Sequence, residues 1–511
     1  MQQSDPTEKS AAEAAAGSAF PLMAAGTLLA AALLGPWLTQ IPLDRAALAA
    51  AVVLVGLYGF VSGVFPRVRP IQAIAFGFAL PYLGVAPIYQ MAKQEAASFD
   101  SALMYDTNAD HLIFALVLNL CFVLALLIGF RLGAARGGVE APSLPVRTGV
   151  RMLLPWVYLA AAAALTPGAV AAAGGWSGLF TDRNTRTSEV GSAGISLAKS
   201  GGASLAAVGL LPTALSIAAC YLFLYGLLTE ARARSWTRVS ALHLLGFIIA
   251  LALLVIHANP LASSRFQFIF AIGSLALIWF VPRGGKAGIW MAVIILCGTL
   301  VAYPLANVFR TDKITLAAGA EAFATPDFDG FQQIVNAIAF TQAHGHSWGY
   351  YALAALFFIV PRSLWTGKAF PASQDVASFR GYEFTNLSLP INAELYIEFG
   401  VIPMILIVLV GAIFLGRFDS RWQLSAGTRG AAMVPVLAMA ILGILRGPLG
   451  AQGPVYLTII GLVLLALRRD ATTGEGLGRS PAELAVGTAD PPDATALLPH
   501  LRLRQFALGG R

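Results

Sequence analysis

The chain has 511 residues, of which 57% are hydrophobic and only 12% are charged, and its mean hydropathy is +0.73. This composition excludes an ordinary water-soluble protein, in which about 25% of the residues are charged. The net charge of +7 does not indicate nucleic-acid binding, because the arginines are spread over the loops between apolar runs and form no continuous basic stripe. The sequence predicts a polytopic membrane protein.

Apolar runs long enough to be helical spans recur along nearly the whole chain, since crossing a bilayer takes about 20 apolar residues. Helices satisfy their backbone polar groups within one segment, so the predicted fold is all-α with about twelve transmembrane helices. In chain order the runs lie near residues 18–38, 46–65, 71–90, 111–130, 150–172, 204–228, 241–258, 266–281, 289–306, 401–416, 430–446 and 454–467.

Basic residues predict the orientation of these spans, because cytoplasmic loops carry an excess of Lys and Arg. With the N-terminus in the cytoplasm, the inner loops hold about twice as many basic residues as the short outer loops. Both the 1–17 tail and the 470–511 tail are then cytoplasmic, and the second is predicted to be disordered. The inner residues are Arg67, Arg69, Arg131, Arg136, Arg147, Arg151, Arg232, Arg234, Arg238, Arg283, Lys286, Arg417, Arg421 and Arg429.

One long hydrophilic insertion, residues 307–400, separates helices 1–9 (residues 18–306) from helices 10–12 (residues 401–469). The same orientation places it outside the cytoplasmic membrane, and loops of this length usually carry function. Within it, YYALAALFFIV at 350–360 is apolar but has only 11 residues. It is too short to cross and is predicted to form a re-entrant or interfacial helix.

A second set of basic residues lies on the predicted outer face. Such residues either anchor the chain at lipid headgroups or bind an anion, and as a group they favour a shared anionic ligand. Arginine suits phosphate because its planar fork donates two parallel hydrogen bonds, so several around one cavity suggest a pyrophosphate. The set is Arg183, Arg186, Lys199, Arg265, Arg310, Lys313, Arg362, Lys368, Arg380 and Arg446.

Candidate proton acceptors lie in the same insertion. In NLSLPINAELYIEFG (386–400), Glu394 and Glu398 are four residues apart and share one face of a helix. Glu398 fits a solvated helix start that complements the helix dipole. Glu394 lies between apolar residues, where burial would raise its pKa and allow it to accept a proton. His344 and His346 are alternative bases, or residues of a flexible glycine-containing loop.

The PDFDGFQQ segment contains a D-x-D pattern, Asp327 and Asp329, that can hold a divalent cation. A capping box explains it better, with Asp329 as the helix N-cap and Gln332 at the third helical position. The three cysteines are too scattered to form a metal site. Neither a metal nor another cofactor is expected.

Three segments between residues 259 and 416 share a pattern with a known family: NPLASSRFQFIFAI (259–272), FFIVPRSLWTGKAF (357–370) and NLSLPINAELYIEFG (386–400). They resemble the signature region of bacterial oligosaccharide repeat-unit polymerases, the Wzy-type O-antigen and exopolysaccharide polymerases. The shared features are a small-residue turn before a helix that opens on an arginine, a Pro-Arg with Trp and Lys, and a Glu-Leu-Tyr that enters a span. O-antigen ligases share part of this pattern.

The resemblance implies a GT-C-like, membrane-embedded fold and metal-independent glycosyl transfer on the outer face of the bacterial cytoplasmic membrane. A growing glycan would leave its undecaprenyl pyrophosphate and join the non-reducing sugar of an incoming lipid-linked repeat unit. The reaction requires neutralisation of the pyrophosphate and removal of a proton from the acceptor hydroxyl. Besides membrane lipids and the lipid-linked donor and acceptor, the resemblance suggests a chain-length regulator and a flippase as partners.

This hypothesis assigns a role to each candidate residue. Glu394 is expected to activate or orient the acceptor, with His344 or His346 as the alternative base. Two other functions stay open: an O-antigen ligase with the same donor, and a transporter of polysaccharide or lipid-linked oligosaccharide. The expected substrate-binding residues are Arg183, Arg265, Arg310, Arg362, Lys368, Asn386 and Tyr396.

Overall fold

A computed structural model describes most of the chain up to residue 469. The described backbone covers residues 6–94, 108–137, 148–151, 153–172, 175–180, 203–234, 240–259, 265–279, 287–302, 319–360, 362–382, 387–421 and 429–469. The predicted tail 470–511 lies outside the described residues, as does the part of the insertion from 307 to 318.

The described elements are nearly all helical. The first half contains α1 (Pro6–Leu38), α2 (Leu43–Val64), α3 (Pro70–Ala79), a π-helical turn (Leu80–Val85), α4 (Ala86–Lys93), α5 (Ala109–Gly137), β1 (Thr148–Val150), α6 (Leu153–Ala172), α7 (Trp176–Leu179), α8 (Ala203–Arg234) and α9 (Ala241–His257). The second half contains α10 (Arg265–Trp279), α11 (Ala287–Cys297), a π-helical turn (Gly298–Ala302), two 3₁₀ turns (Gly319–Ala324 and Pro326–Phe328), α12 (Gly330–His344), α13 (Tyr350–Leu356), α14 (Ala372–Phe379), α15 (Ile391–Phe399), α16 (Val401–Arg421), α17 (Arg429–Arg446), α18 (Leu449–Ala466) and β2 (Leu467–Arg469).

Eight helical stretches in the described part are long and apolar enough to cross a membrane, so the chain is a multi-pass helical membrane protein. They are Pro21–Leu38, Leu43–Val64, Pro70–Lys93, Ala109–Ala135, Leu153–Ala171, Leu210–Ala231, Val401–Ser420 and Leu449–Ala466. Four of the twelve predicted spans are shorter apolar helices: Ala241–His257, Phe266–Ile278, Gly288–Leu300 and Ala432–Arg446. The last ends at a charged residue followed by Gly447, whose φ of 60° leaves the helical region.

The described chain is all-α, as predicted, apart from one pair of three-residue strands. Strands β1 and β2 pair antiparallel, with Thr148 opposite Arg469 and Val150 opposite Leu467. The backbone N–H of Arg151 then donates to the carbonyl of Ala466 over 2.8 Å. The sheet therefore ties the start of α6 to the end of α18.

Contacts between helix ends define one side of the bundle. Asp419, near the end of α16, accepts hydrogen bonds from the backbone N–H groups of Ile71 and Gln72 over 3.0 and 2.8 Å. A carboxylate at this position satisfies donors that the first turn of α3 leaves unpaired. The positions of Arg69 and Arg417 next to these contacts put two predicted inner-loop residues on the same side, here called the basic side. Which membrane face the basic side meets stays a prediction.

Helix α16 packs against α5 through small residues. A side chain added to Gly133 would lie 3.0 Å from the Cα of Gly416, and one added to Gly129 would lie 2.7 Å from the carbonyl oxygen of Leu409. Glycines four residues apart let two membrane helices approach closely. This packing holds α16 in place, and α15, which carries Glu394, leads directly into α16.

Candidate functional site

The candidate site is built around the turn between α17 and α18. The backbone N–H of Leu389 donates to the carbonyl of Arg446 over 3.2 Å, and the N–H of Leu449 donates to Glu394 Oε2 over 2.7 Å. A Cβ on Gly447 would collide with the carbonyl oxygen of Leu389. Glycine is therefore required here for two reasons, its positive φ and this close approach. The segment before α15 and the turn 446–449 are thus locked together.

Glu394, on α15, is the carboxylate that accepts the Leu449 N–H, and 1% of its surface is exposed. Its Oε1 accepts no hydrogen bond from the described residues. Burial raises the pKa of Glu394 to about 8, and the nearby charge of Glu398 adds to the increase, while the hydrogen bond from Leu449 opposes it. The raised pKa makes the deprotonated form of Glu394 a stronger base than an ordinary carboxylate.

Asp329 is a second buried carboxylate at this turn and is also 1% exposed. Its carboxylate accepts hydrogen bonds from the hydroxyl and the backbone N–H of Ser388, and Oδ1 lies 3.8 Å from a guanidinium nitrogen of Arg446. The hydroxyl of Tyr82 lies 2.9 Å from the Ser388 hydroxyl and 3.4 Å from Oδ1. Burial raises the pKa of Asp329, whereas Arg446 and Ser388 lower it.

The predicted capping box at the start of α12 is wrong. Asp329 occupies the N-cap position, but its side chain makes no capping hydrogen bond. The side chain of Asp329 contacts Ser388 and Arg446 instead. Ser388 supplies two hydrogen-bond donors, and Arg446 supplies a cation. Gln332 donates to the side chain of Asn336 over 3.1 Å, one turn further along the helix.

Tyr82 reaches this cluster from the π-helical turn Leu80–Val85 inside the third span. A π-helical turn shifts the faces of a helix, and such turns are frequent at functional sites. The added turn places the phenol of Tyr82 beside Ser388 and stacks its ring on Phe78, with 4.7 Å between ring centroids.

Arg446 is the cation that lies 3.8 Å from the carboxylate of Asp329. Its guanidinium carbon lies 5.0 Å from the centre of the Phe266 ring, and 18% of the side chain is exposed. The sequence placed Arg446 among the outer-face bases but gave it no role. A signal was present, because Arg446 ends an apolar run and is followed directly by Gly447 and Pro448. A Gly-Pro pair ends the helix directly after Arg446, so Arg446 is predicted to lie at the helix end.

The two histidines occupy different surroundings. His344 is exposed at the end of α12 and its ring stacks on Phe340, with 4.6 Å between centroids. His346 is half-buried, its Nδ1 lies 3.0 Å from the carbonyl oxygen of Tyr396, and its ring lies edge-on to the Tyr396 ring at 5.5 Å. The structure therefore brings together two predicted site residues, His346 and Tyr396. In the part of the chain that is described, neither histidine bonds to Glu394.

Lys368 and Arg362 bind backbone carbonyl groups. The ammonium of Lys368 donates to the carbonyls of Phe357, Phe358 and Val360 over 2.9 to 3.0 Å, and thereby uses all three of its donors. The guanidinium of Arg362 donates to the carbonyl of Lys368, and to that of Ala369 over 2.9 Å. Both residues thus have a structural role, and their predicted role in binding substrate stays a prediction.

Glu398 is 1% exposed, so the expectation of a solvated Glu398 is wrong. Its carboxylate accepts hydrogen bonds from the hydroxyl of Ser347 and from the backbone N–H groups of Gly349 and Ala352, over 2.6, 2.7 and 2.5 Å. These N–H groups belong to the start of α13. Glu398 therefore complements the N-terminus of a neighbouring helix and leaves Glu394 as the carboxylate of α15 with an open acceptor among the described groups.

A second polar network lies on α12. Asn336 is fully buried and accepts a hydrogen bond from Arg380 Nε over 2.7 Å, while its amide donates to the hydroxyl of Tyr382 over 2.8 Å. Arg380, one of the predicted outer-face bases, is thus bound to the helix that follows Asp329. This network fixes the segment after α14 on α12.

The side chains of the four remaining predicted site residues are not described by the structure. Arg183, Arg310 and Asn386 lie outside the described residues, and only the backbone of Arg265 is described, where it begins α10. Among the described residues no three His, Cys, Asp or Glu side chains form a group that could hold a metal ion.

Comparisons of the chain with protein-family models, with curated protein sequences and with solved structures gave no match. The fold class is that of a multi-pass helical membrane protein.

Proposed function

We propose that the protein is a membrane glycosyltransferase that polymerises oligosaccharide repeat units carried on undecaprenyl pyrophosphate. The observation that supports this proposal best is the turn 446–449, which binds Glu394, a buried carboxylate with an open acceptor atom among the described groups, at Leu449 and supplies a cation, Arg446, at its other end. Glu394 contacts one end of the turn and Arg446 forms the other. The two groups meet the two needs of glycosyl transfer, a base and a cation for the leaving group.

In the proposed reaction the acceptor hydroxyl attacks the anomeric carbon of the donor glycan. The hydroxyl proton passes to Glu394, and a new glycosidic C–O bond forms. The bond between the anomeric carbon and the phosphate oxygen breaks, and its electron pair leaves with undecaprenyl pyrophosphate. Arg446 stabilises the charge on this leaving group, so the guanidinium supplies what a metal ion supplies in other transferases.

The environments of the two carboxylates support different roles. Asp329 is paired with Arg446 and bonded to Ser388, so its task is to orient the cation. No described cation forms an ion pair with Glu394, and burial raises its pKa to about 8. Pairs of acids whose surroundings differ in this way often divide the work in an active site.

The proposal extends to the residues outside the described part and to the location. Arg183, Arg265, Arg310 and Asn386 would bind the rest of the lipid-linked donor and acceptor. The site would face the outside of the bacterial cytoplasmic membrane, opposite to the basic side, where a flippase delivers substrate and a chain-length regulator sets the product length.

The test is to incubate the purified protein with its lipid-linked repeat unit and to separate the products by length. A ladder of longer glycans on undecaprenyl pyrophosphate supports the proposal. Transfer of single glycans to a lipid A core acceptor without a ladder would show a ligase instead. Movement of the repeat unit across liposomes without chain growth would show a transporter, and the proposal would then be wrong.

A further inference from the structure

Residues 350–360 and 362–370 form an apolar hairpin outside the eight long spans. The chain runs out along α13 and returns, so that the hydroxyl of Tyr350 donates to the carbonyl of Gly367 over 3.0 Å. Large apolar side chains cover its outer surface, with Ile359 and Leu364 exposed by 80% and 81%. The other exposed members are Leu353, Leu356, Phe357 and Phe370. Such a patch marks a surface that is covered in the working protein.

The N-terminal end of α13 has its backbone donors satisfied by a side chain from another helix. Glu398 accepts the N–H groups of Gly349 and Ala352, and it also accepts the hydroxyl of Ser347. The carboxylate is almost fully buried, so water plays little part in this cap.

The segment that follows the C-terminal end of the helix also has carbonyls satisfied by side chains. Lys368 donates to three carbonyls that follow the helix, while Arg362 donates to the carbonyls of Lys368 and Ala369. The two basic side chains thus join segments 350–360 and 362–370 of the hairpin. Arg362 also lies over the ring of Phe370, with 3.8 Å between the guanidinium carbon and the ring centre.

A hairpin in water needs none of these side-chain partners, because water satisfies exposed carbonyls. In a bilayer each unsatisfied backbone group costs several kcal/mol, so polar groups must be satisfied internally. A seven-residue helix is about 10 Å long and cannot span a membrane. It can lie at the boundary between acyl chains and headgroups, the depth that suits Trp348, which is 73% exposed at the base of the hairpin.

We propose that this hairpin is inserted into one leaflet of the bilayer, with Ile359 and Leu364 among the acyl chains and with Arg362 and Lys368 as internal partners of its carbonyls. The occupant of the apolar surface is lipid. The two cations near the surface favour anionic headgroups around the insertion. This inference does not depend on the proposed reaction.

The experiment uses fluorescent labels on single cysteines in the full chain, after Cys121, Cys220 and Cys297 are replaced by alanine. Ile359→Cys and Leu364→Cys report on the hairpin, and Ala343→Cys, which is exposed on α12, is the matched control. Each labelled protein is placed in nanodiscs of phosphatidylglycerol and phosphatidylethanolamine. Quenching is measured with nitroxide-labelled acyl chains and with aqueous Co²⁺.

We expect quenching by the acyl-chain nitroxide at both hairpin positions and quenching by Co²⁺ at position 343. Co²⁺ quenching at either hairpin position equal to that at position 343 would overturn the insertion. Equal nitroxide quenching at all three positions would also overturn the insertion, because positions 359 and 364 would then contact acyl chains no more than position 343 does.

A second measurement avoids the cysteine background. Hydrogen exchange of the native chain in the same nanodiscs should show slow exchange across 350–360, and Lys368→Met should raise it, whereas Lys368→Arg, which keeps donors for the carbonyls, should not. Fast exchange across 350–360 in the native chain would contradict the proposal. An equal increase in both variants would contradict the role given to Lys368.

Discussion

The Oε2 atom of Glu394 accepts a hydrogen bond from the backbone N–H of Leu449 over 2.7 Å. Three residues earlier, the guanidinium of Arg446 lies 3.8 Å from the carboxylate of Asp329. The turn 446–449 therefore contacts two buried acids in different ways. Asp329 is paired with the guanidinium of Arg446, whereas Glu394 accepts only the backbone N–H of Leu449.

Glu394→Gln should lower the rate of glycan elongation by about 10²–10⁴-fold, the usual contribution of a positioned general base. The amide keeps the size of the side chain and an acceptor for Leu449 but cannot take the proton. Chain growth on undecaprenyl pyrophosphate measures the effect. The control is Glu321→Gln, an exposed acid in the same insertion, which should elongate at the wild-type rate. Wild-type elongation in Glu394→Gln would remove this residue from the mechanism.

The rate of elongation should rise with pH up to about 8, because only the deprotonated form of Glu394 accepts the proton. Stability should change in the opposite sense. The pKa of Glu394 is higher in the folded protein than in the unfolded chain, so the folded state holds more protons between the ordinary carboxyl pKa and about 8, and its free energy of unfolding falls as pH rises through that range.

The pH profile of elongation and thermal unfolding at several pH values measure these two effects. Glu394→Gln should unfold with less pH dependence than the wild type. A rate profile that is flat from pH 6 to pH 9 would contradict the assignment of Glu394 as the base.

Removing Arg446 should destabilise the protein by about 3–5 kcal/mol, because Asp329 is left as an unpaired buried charge. Asp329→Asn combined with Arg446→Met should cost less than the sum of the two single changes, with a coupling energy of about 0.5–3 kcal/mol. Thermal unfolding in detergent measures all four proteins of this cycle. Additive effects would show that the ion pair contributes nothing to stability.

Gly447→Ala should destabilise the protein by more than about 1 kcal/mol, since alanine is strained at a φ of 60° and its Cβ meets the carbonyl of Leu389. Gly461→Ala is the matched control on α18, where a Cβ would meet no described atom within 4 Å. That change should be neutral or stabilise the helix by up to about 1 kcal/mol. Equal melting temperatures of the two variants would contradict the locking role of the turn.

Hydropathy was sufficient to predict the helices, because a run of apolar residues in lipid has few other structures available. All twelve predicted runs are helical in the described residues, although four are shorter than a full span. The strands β1 and β2 could not be predicted, since each has three residues and its partner lies far away in the sequence.

The candidate site was predictable only in part. The burial of Glu394 was indicated by its apolar neighbours, which lie next to it in the sequence. The true partners of Asp329 and Glu398 lie on other elements, Ser388 and Arg446 for the first and the start of α13 for the second. A local pattern such as a capping box takes no account of a cation that is distant in the sequence. The capping-box prediction for Asp329 was wrong for that reason.

The cap that Asp419 provides on α3 has a consequence for movement. Helix α16 is fastened near one end to α3 by Asp419, and along its length it is wedged against α5 by glycines. At its other end it follows α15, which Leu449 holds through Glu394. These three separate restraints fix the position of α16 within the bundle. Under the proposed function, this fixed helix keeps α15, and with it Glu394, in place while substrate enters and product leaves.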